Sequence, residues 1–215
     1  MNVAIIGTGN VGGALGGSLS RAGHSVTFYS RDEVKAAEVA SANSAATADT
    51  PAHAVEGADV VVLAVPYASA VKVAGEIAQA ASGKVVIDTT NPLRPDYTGV
   101  QTNSGDSAAE EIAREIGDAR VVKAFNTVFA GVQADPGANS EKPDLLYATD
   151  DNDARSTVSE LAHSIGFRPV WVGPLSAARE LEALAWLNIR LQVINGGSWN
   201  TAIKLVDAPE KALAA

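Results

Sequence analysis

The chain has 215 residues, of which 47% are hydrophobic and 19% charged, with a formal net charge of −9 at pH 7 and no cysteine. This length can bury a full hydrophobic core in one large domain, or in one domain with a small appendage. The absence of cysteine excludes disulfides, thiolate nucleophiles and cysteine-ligated metal or iron–sulfur centres. The acidic balance argues against nucleic acid or an anionic membrane as a partner, because both attract basic surfaces.

Membrane insertion and metal binding also lack support in the sequence. No stretch reaches the roughly 18 consecutive apolar residues of a membrane span. Met1 leads directly into an apolar segment, which leaves no room for a signal peptide, and we expect a cytoplasmic protein. The histidines, His24, His53 and His163, have no convincing partner at metal-binding spacing, so we predict no metal site.

A G-x-G-x-x-G motif, Gly7-Thr8-Gly9-Asn10-Val11-Gly12, directly follows an apolar strand at residues 3–6. Helical spacing follows the motif until Gly23, and a second strand is predicted at residues 25–29. In a dinucleotide-binding unit the first glycine allows a tight turn, the second lets the backbone approach a pyrophosphate, and the third allows close helix packing. The helix N-terminus offers N–H groups to that anion. Residues 7–12 therefore predict a dinucleotide site.

The end of the second strand indicates which dinucleotide is bound. An NAD site usually has Asp or Glu here, whereas this chain has Ser30 and Arg31, with Lys35 one helical turn further on. Arg31 can bind a 2′-phosphate through its planar fork and Lys35 can add a point charge. Asp32 and Glu33 oppose this slightly, but we place them in the first turn of the next helix. The pattern favours NADP over NAD, and a solvated Ser-Arg turn is the alternative.

Two continuous apolar runs, typical of strands buried on both faces of a parallel sheet, extend the predicted site. The first ends in Ala64, Val65 and Pro66, and Asn91 follows the second. The carboxyl ends of such strands meet at the ligand-binding edge of the sheet, so we assign these residues to the cofactor site. Asn91 can hydrogen-bond a carboxamide, or it can simply form an Asn-Pro turn. Tyr67 either packs beside a nicotinamide or caps the next helix.

The rest of the chain continues to alternate between strands and helices. Helices are predicted at residues 35–43, 68–80, 107–116 and 150–164, and strands at 44–47, 60–65, 85–88, 121–125, 145–148 and 169–172. The capping box at Ser107 and Glu110 and the Thr50-Pro51 pair mark helix starts. Two polar stretches, 94–105 and 134–143, are predicted loops, and the first has the length of a lid. This alternation predicts an α/β fold, a Rossmann-type doubly wound and mostly parallel sheet.

The C-terminal part of the chain has a different pattern. Residues 1–173 form the predicted NADP-binding Rossmann domain, and residues 174–215 form a small helical extension, with helical spacing from 176 to about 205 that glycines at 196 and 197 interrupt. So much apolar surface on a terminal helical piece must pack on the Rossmann domain or on a second subunit. We expect this region to complete the acceptor cleft and to form the interface of a homodimer.

Two further runs carry a family resemblance, Val122-Lys123-Ala124-Phe125-Asn126-Thr127 and Gly173-Pro174-Leu175-Ser176-Ala177-Ala178-Arg179-Glu180-Leu181-Glu182. With the motifs above, they make nearly the whole chain resemble the NADP oxidoreductases that use the deazaflavin coenzyme F420. The related cytoplasmic domain of six-transmembrane ferric reductases is also similar. The resemblance implies that NADP(H) lies on the glycine turn, with its nicotinamide near Val65 and Pro66. It further implies hydride transfer to a deazaflavin over the nicotinamide. Transfer between two rings needs little acid–base help, because the protein has mainly to orient them and exclude water.

The resemblance also implies an acceptor site, which we assign to Tyr67, Asn126, Ser198 and Trp199. Asn126 stands where the deazaflavin enzymes are expected to have histidine, and the run around Trp199 is bulkier than their small-residue run. A flavin-like acceptor is therefore one alternative to F420. A small carbonyl or imine substrate is another, and it needs a proton donor such as Tyr67, Tyr97 or a bound water. A non-catalytic NADP(H)-binding protein is the third.

Overall fold

One mixed β-sheet carries the fold in the computed structural model, which describes residues 1–96, 98–102 and 105–209. Within these residues the strands are β1 (Asn2–Ile6), β2 (Ser25–Tyr29), β3 (Ala46–Thr47), β4 (Val60–Leu63), β5 (Val85–Asp88), β6 (Arg120–Lys123), β7 (Asp144–Ala148) and β8 (Arg168–Gly173). They lie in the order β3-β2-β1-β4-β5-β6-β7-β8. Strands β1 to β6 are parallel, while β7 pairs antiparallel with β6 and parallel with β8. This confirms the predicted Rossmann-type, mostly parallel α/β fold.

The helices of the same residues are α1 (Asn10–Arg21), α2 (Glu33–Ala42), α3 (Pro51–Glu56), α4 (Tyr67–Ala81), α5 (Ala108–Ile116), α6 (Ala130–Ala134), α7 (Asn152–Ser164) and α8 (Ala178–Asn195). Short 3₁₀ turns lie at Pro136–Ala138 and Leu175–Ala177. Local capping sets several helix starts, as the sequence predicts. Thr50 caps α3, and Ser107 forms a complete capping box with Glu110 at α5. None of the described helices is long and apolar enough to cross a membrane, and the described residues hold no metal-binding cluster.

The core lies on both faces of the sheet, because successive side chains of each buried strand point to opposite sides. Val3 and Ile5 of β1 belong to one apolar cluster, and Ala4 and Ile6 belong to the other. All four side chains are at most 1% exposed. Burial on both faces explains why the central strands read as continuous apolar runs.

Two predictions about the chain beyond β5 were wrong. The strand predicted to extend to residue 125 ends at Lys123, because Phe125 adopts a left-handed backbone with φ 64°. Helix α6 was not predicted, and it ends inside a stretch that had been predicted as a loop from residue 134. Both features follow the carboxyl end of β6, the region that leads into the candidate acceptor site.

The C-terminal region is helical only in part, which corrects the helix predicted to reach residue 205. Helix α8 ends at Asn195, where Gly196 takes a left-handed conformation with φ 60°. The chain after it packs back on the sheet: Asp144 N–H donates to Ile203 O over 3.0 Å, and Leu205 N–H donates to Asp144 Oδ2 over 2.6 Å. Bonds to the first residue of β7 thus replace the helical bonds that the apolar spacing predicts.

Candidate functional site

A cleft of about 440 Å³ opens at the carboxyl edge of strands β1, β2 and β4. Most of the predicted cofactor residues line it: Gly7, Thr8, Gly9, Ser30, Arg31, Lys35, Ala64, Val65 and Pro66. The sequence did not single out the lining residues on α4, which are Ser69, Lys72, Val73 and Glu76. No local motif marks them, because they reach the cleft only when α4 packs beside the β4 corner.

The three glycines of the motif meet different constraints. Gly7 has φ 113°, and a Cβ atom there would lie 2.3 Å from the carbonyl oxygen of Ala64. A Cβ on Gly12 would lie 2.0 Å from the carbonyl oxygen of Gly7. The fold itself therefore requires both of these glycines. Gly9 differs, because a Cβ there would meet no protein atom within 4 Å, so its side faces space that a ligand can occupy.

Helix α1 begins directly behind this open space. Gly9 is its N-cap residue and supplies no side chain to satisfy the first N–H groups, and the first turn holds no acidic residue. The two residues that follow, Asn10 and Val11, are exposed and half-buried respectively. A helix N-terminus without a side-chain cap presents N–H donors and a partial positive charge, which suits a phosphate group.

The end of β2 adds positive charge to the same cleft. Arg31 and Lys35 are both exposed, and neither forms an ion pair with another described residue. Asp32 also lines the cleft, but it forms no salt bridge with either cation. Its carboxylate caps α2 by accepting a hydrogen bond from the Lys35 N–H over 3.0 Å. Across the cleft, Lys72 forms an ion pair with Glu76, in which Nζ lies 3.6 Å from Oε1. The region near Ser30 is therefore suited to an anion such as a 2′-phosphate.

Tyr67 is the first residue of α4, directly after Pro66. Its hydroxyl donates a hydrogen bond to Oε2 of Glu111 over 2.6 Å, and the Glu111 side chain belongs to α5 and is buried. The contact ties α4 to α5 beside the β4 corner. The predicted capping role of Tyr67 is wrong, because Pro66 is the N-cap residue of α4 and no side chain caps this helix. The role beside a nicotinamide stays a prediction.

Asn91 and Asn126, which follow β5 and β6, bind each other. Asn91 Nδ2 donates to Asn126 O over 2.9 Å, and Asn126 Nδ2 donates to Asn91 Oδ1 over 3.0 Å. Asn126 Nδ2 also lies 3.1 Å from the carbonyl oxygen of Leu181 in α8. Asn126 Oδ1 is buried and accepts no hydrogen bond from the described residues. The structure thus brings together one predicted cofactor residue and one predicted acceptor residue, separate from the lining of the NADP cleft.

The other predicted acceptor residues lie on the segment after α8. The Trp199 ring packs edge-on against Phe129, with ring centroids 5.4 Å apart, and is 46% exposed. Ser198 lines a separate groove of about 470 Å³ between α8 and this segment. Asn188 of α8 donates to Thr127 O over 3.4 Å, which holds the helix against the chain that follows Asn126. Tyr97, predicted as a proton donor, lies outside the described residues.

Two carboxylates near this region have displaced pKa values. The Arg179 guanidinium, bonded to both oxygens of Glu110, lowers the pKa of that carboxyl to about 2. Burial raises the pKa of Glu182, although the charge of Lys123 opposes this effect. Lys123 is itself fully buried, and the sequence predicted no role for it. One feature of the sequence could have indicated a buried ion pair: Lys123 directly follows the apolar residues Val121 and Val122 at the end of a strand.

Comparisons with known proteins agree with the geometry. Residues 2–92 match the family model described as NADP oxidoreductase, coenzyme F420-dependent. The F420-dependent NADP reductase of Methanothermobacter marburgensis is 34% identical over 226 residues, which cover 98% of this chain and all of that protein. The metalloreductase STEAP3 of Rattus norvegicus is 32% identical over 186 residues, covering 85% of this chain but 36% of that protein.

A solved structure extends the likeness to three dimensions. The structure described as an F420-dependent NADP reductase from Arthrobacter sp. FB24 superposes with a TM-score of 0.84 and 28% identity, covering 94% of this chain and 99% of that chain. The family that the sequence resembled is thereby confirmed, and its name carries both predicted cofactors, NADP(H) and coenzyme F420. The chain belongs to the family of coenzyme F420-dependent NADP oxidoreductases and is an NADP-dependent oxidoreductase.

Proposed function

We propose that this protein transfers a hydride between NADPH and the deazaflavin coenzyme F420. One observation carries the NADP half of this proposal: Arg31 and Lys35 stand without ion-pair partners in the described residues, beside a glycine turn whose Gly9 faces open space. The F420 half rests on the full-length relative, which is an F420-dependent NADP reductase.

The residues of the cleft fit NADP(H). The N-terminus of α1 and the backbone at Gly9 would bind the pyrophosphate, because a side chain at that position would fill the space in front of the helix. Ser30, Arg31 and Lys35 would bind the 2′-phosphate. Ala64, Val65 and Pro66 would lie against the nicotinamide half, and the bound nucleotide supplies a hydride-carrying ring.

The protein's own contribution to such a reaction is orientation. Holding two reacting rings in place can supply roughly 7 to 11 kcal/mol of the barrier, without any acid or base. The rigid β4 corner serves this purpose, since the Ala64 N–H donates to Ile6 O over 2.9 Å and Tyr67 is anchored on Glu111. Apolar side chains at Val65 and Pro66 exclude water from one wall.

We place the acceptor beside Asn91, Asn126 and Trp199. Tyr67 and Ser198 would lie at the margins of this acceptor side. We propose that the described part of the C-terminal region, residues 174–209, completes this side, and the packing of Trp199 on Phe129 supports that proposal. Asn126 offers an amide where the family is expected to carry histidine, so acceptor recognition there would depend on hydrogen bonding rather than on a titrating ring.

We further propose that two copies form a homodimer through α8. Exposed apolar side chains cluster on this helix, where Leu187, Leu191, Val193 and Ile194 are 50% to 67% exposed. Such a patch is typical of an interaction surface. Sedimentation equilibrium should give a dimer for the native chain, and Leu191→Asp should shift it towards the monomer. A monomeric native chain would contradict this proposal.

The deciding experiment mixes the purified protein anaerobically with NADPH and oxidised F420 and follows bleaching of the deazaflavin absorbance. NADH serves as the parallel control. NADPH-dependent bleaching that NADH does not match supports the function as stated. Binding of NADPH without bleaching would rule out F420 as acceptor and direct the search to flavins, carbonyls and imines.

A further inference from the structure

A buried cluster of charged side chains is linked to the Asn91–Asn126 pair through Thr90 and Leu181. The Lys123 Nζ atom is 2.8 Å from Asp88 Oδ2 and 2.8 Å from Glu182 Oε1. The side chains of Lys123 and Asp88 are fully buried and that of Glu182 is 2% exposed. Burying charges in this way is costly, and well-packed apolar residues of similar volume often stabilise a fold as well or better. The cost therefore invites a reason beyond stability.

The contacts of Lys123 supply that reason, because they reach the neighbour of Asn91 in the chain and the neighbour of a residue that binds Asn126. Lys123 Nζ donates to the carbonyl oxygen of Thr90 over 2.6 Å, and Thr90 directly precedes Asn91. Glu182, which accepts from the same ammonium group, directly follows Leu181, whose carbonyl oxygen binds Asn126. One side chain thus fixes the backbone on two sides of the asparagine pair.

The remaining contacts make the cluster rigid. Asp88 Oδ1 accepts from the Thr90 N–H over 2.8 Å, so Thr90 is held through both its N–H and its carbonyl group. Glu182 Oε1 accepts from the Ala108 N–H over 2.9 Å at the start of α5. Three residues beyond Lys123, after the left-handed turn at Phe125, the chain reaches Asn126. Left-handed backbone at a buried, bulky residue stores strain that the surrounding contacts must hold.

We propose that Lys123 is a positioning residue for the acceptor side of the site, acting with Asp88 and Glu182 to set the geometry of Asn91 and Asn126. The inference rests on the proposed function, which places the acceptor at these asparagines. Because Lys123 is fully buried, it would act through its neighbours and not by contact with either substrate. Its role is to hold Thr90 and α8 so that the two amides keep the spacing that the acceptor requires.

A charge-free variant separates positioning from simple stabilisation. Asp88→Asn, Lys123→Met and Glu182→Gln together remove every charge of the cluster at nearly constant volume, so no buried charge is left unpaired. The triple variant also removes the Lys123 donor to Thr90 O. Lys123→Met alone is the matched comparison, because it leaves the carboxylates without their ammonium and should unfold at a lower urea concentration than the triple variant.

The readouts are the side-chain amide NMR signals of Asn91 and Asn126, NADPH affinity, and turnover with F420. In the triple variant we expect both amide signals to shift, NADPH affinity to be retained, and kcat to fall on the order of 100-fold, as a displacement of about 1 Å can cause. A folded triple variant with unshifted amide signals and native kcat would overturn the inference. The cluster would then serve only to stabilise the fold.

Two further measurements test the inference if the triple variant does not fold or if the native protein does not bleach F420. If the triple variant does not fold, Glu182→Gln replaces a charge-assisted bond with a neutral one of about half the strength. It should then lower kcat in the same direction by less, and an unchanged kcat would overturn the inference. If the native protein does not bleach F420, the proposed function fails, whereas shifted amide signals in the variant still show that Lys123 positions the two asparagines.

Discussion

The candidate NADP cleft and the proposed acceptor side of this protein differ in the groups that form them. The cleft consists of backbone shape and two cations: a glycine turn, an uncapped helix N-terminus, and Arg31 with Lys35. The acceptor side consists of side-chain hydrogen bonds between distant parts of the chain, centred on Asn126 and on the buried Lys123. A phosphate site made by the backbone tolerates little change, whereas a side-chain network can accept an asparagine where the family is expected to have histidine.

The largest effect should come from Gly12→Ala, which tests how strictly the backbone shapes the cleft. The added Cβ would lie 2.0 Å from the carbonyl oxygen of Gly7, so the turn or the helix has to move. We expect a loss of about 1 to 3 kcal/mol in the free energy of unfolding, the usual cost of overpacking, together with loss of NADPH binding. Urea denaturation and fluorescence titration measure the two quantities.

Gly9→Ala is the matched control for that variant. Its Cβ would meet no protein atom within 4 Å, so stability should stay close to that of the native protein. NADPH affinity should nevertheless fall, because the methyl group occupies the space assigned to the pyrophosphate. If Gly9→Ala binds NADPH normally, the pyrophosphate does not approach the backbone at this turn.

The next effect in size is that of Arg31→Ala on nucleotide selectivity. Removing a hydrogen bond to a charged group costs about 1.5 to 3 kcal/mol, which corresponds to roughly tenfold or more in Kd for NADPH. The Kd for NADH should stay unchanged, because that nucleotide lacks the 2′-phosphate. Lys142→Ala removes one exposed positive charge from outside the cleft lining and should alter neither constant. An equal change for both nucleotides would refute the phosphate assignment.

A smaller effect is expected from Trp199→Leu on the acceptor side. The edge-on contact with Phe129 contributes about 0.5 to 1.5 kcal/mol beyond simple burial, so the C-terminal segment should pack less firmly. The KM for F420 should rise while the Kd for NADPH stays the same. Steady-state kinetics and nucleotide titration separate the two. A change in NADPH affinity instead would mean that Trp199 serves the nucleotide.

The smallest effect is the pH dependence of the Glu110–Arg179 pair. Arg179 lowers the pKa of Glu110 from 4.5 to about 2 in the folded protein. The pair therefore stabilises the fold above pH 4.5, and this contribution is lost as the pH falls from about 4.5 to about 2. Because Arg179 is 48% exposed, Arg179→Met should cost only about 0.2 to 1 kcal/mol at pH 7.

Urea denaturation of the native and Arg179→Met proteins at pH 7, 5 and 3 measures that contribution. The difference between them should shrink at pH 3. A difference that is the same at all three pH values would assign the effect of Arg179 to packing.

Much of the fold was predictable because local chemistry sets it. The capping box at Ser107, the cap at Thr50 and the buried run at Val85–Asp88 all appear where the residue pattern predicted them. The errors lie where long-range contacts outweigh local preference. The apolar spacing predicted that the helix continues beyond Gly196, but bonds to Asp144 at the start of β7 hold that segment instead.

The candidate site likewise has a part that local sequence predicts and a part that depends on long-range contacts. The sequence by itself determined the doubly wound fold, the glycine turn and the cations that follow β2, because each depends on residues close together in the chain. Only the tertiary structure decided that Asn91 and Asn126 bind each other, that Lys72 faces the cleft and that Lys123 lies buried between Asp88 and Glu182. Those contacts join residues on separate strands and helices, so no local spacing encodes them.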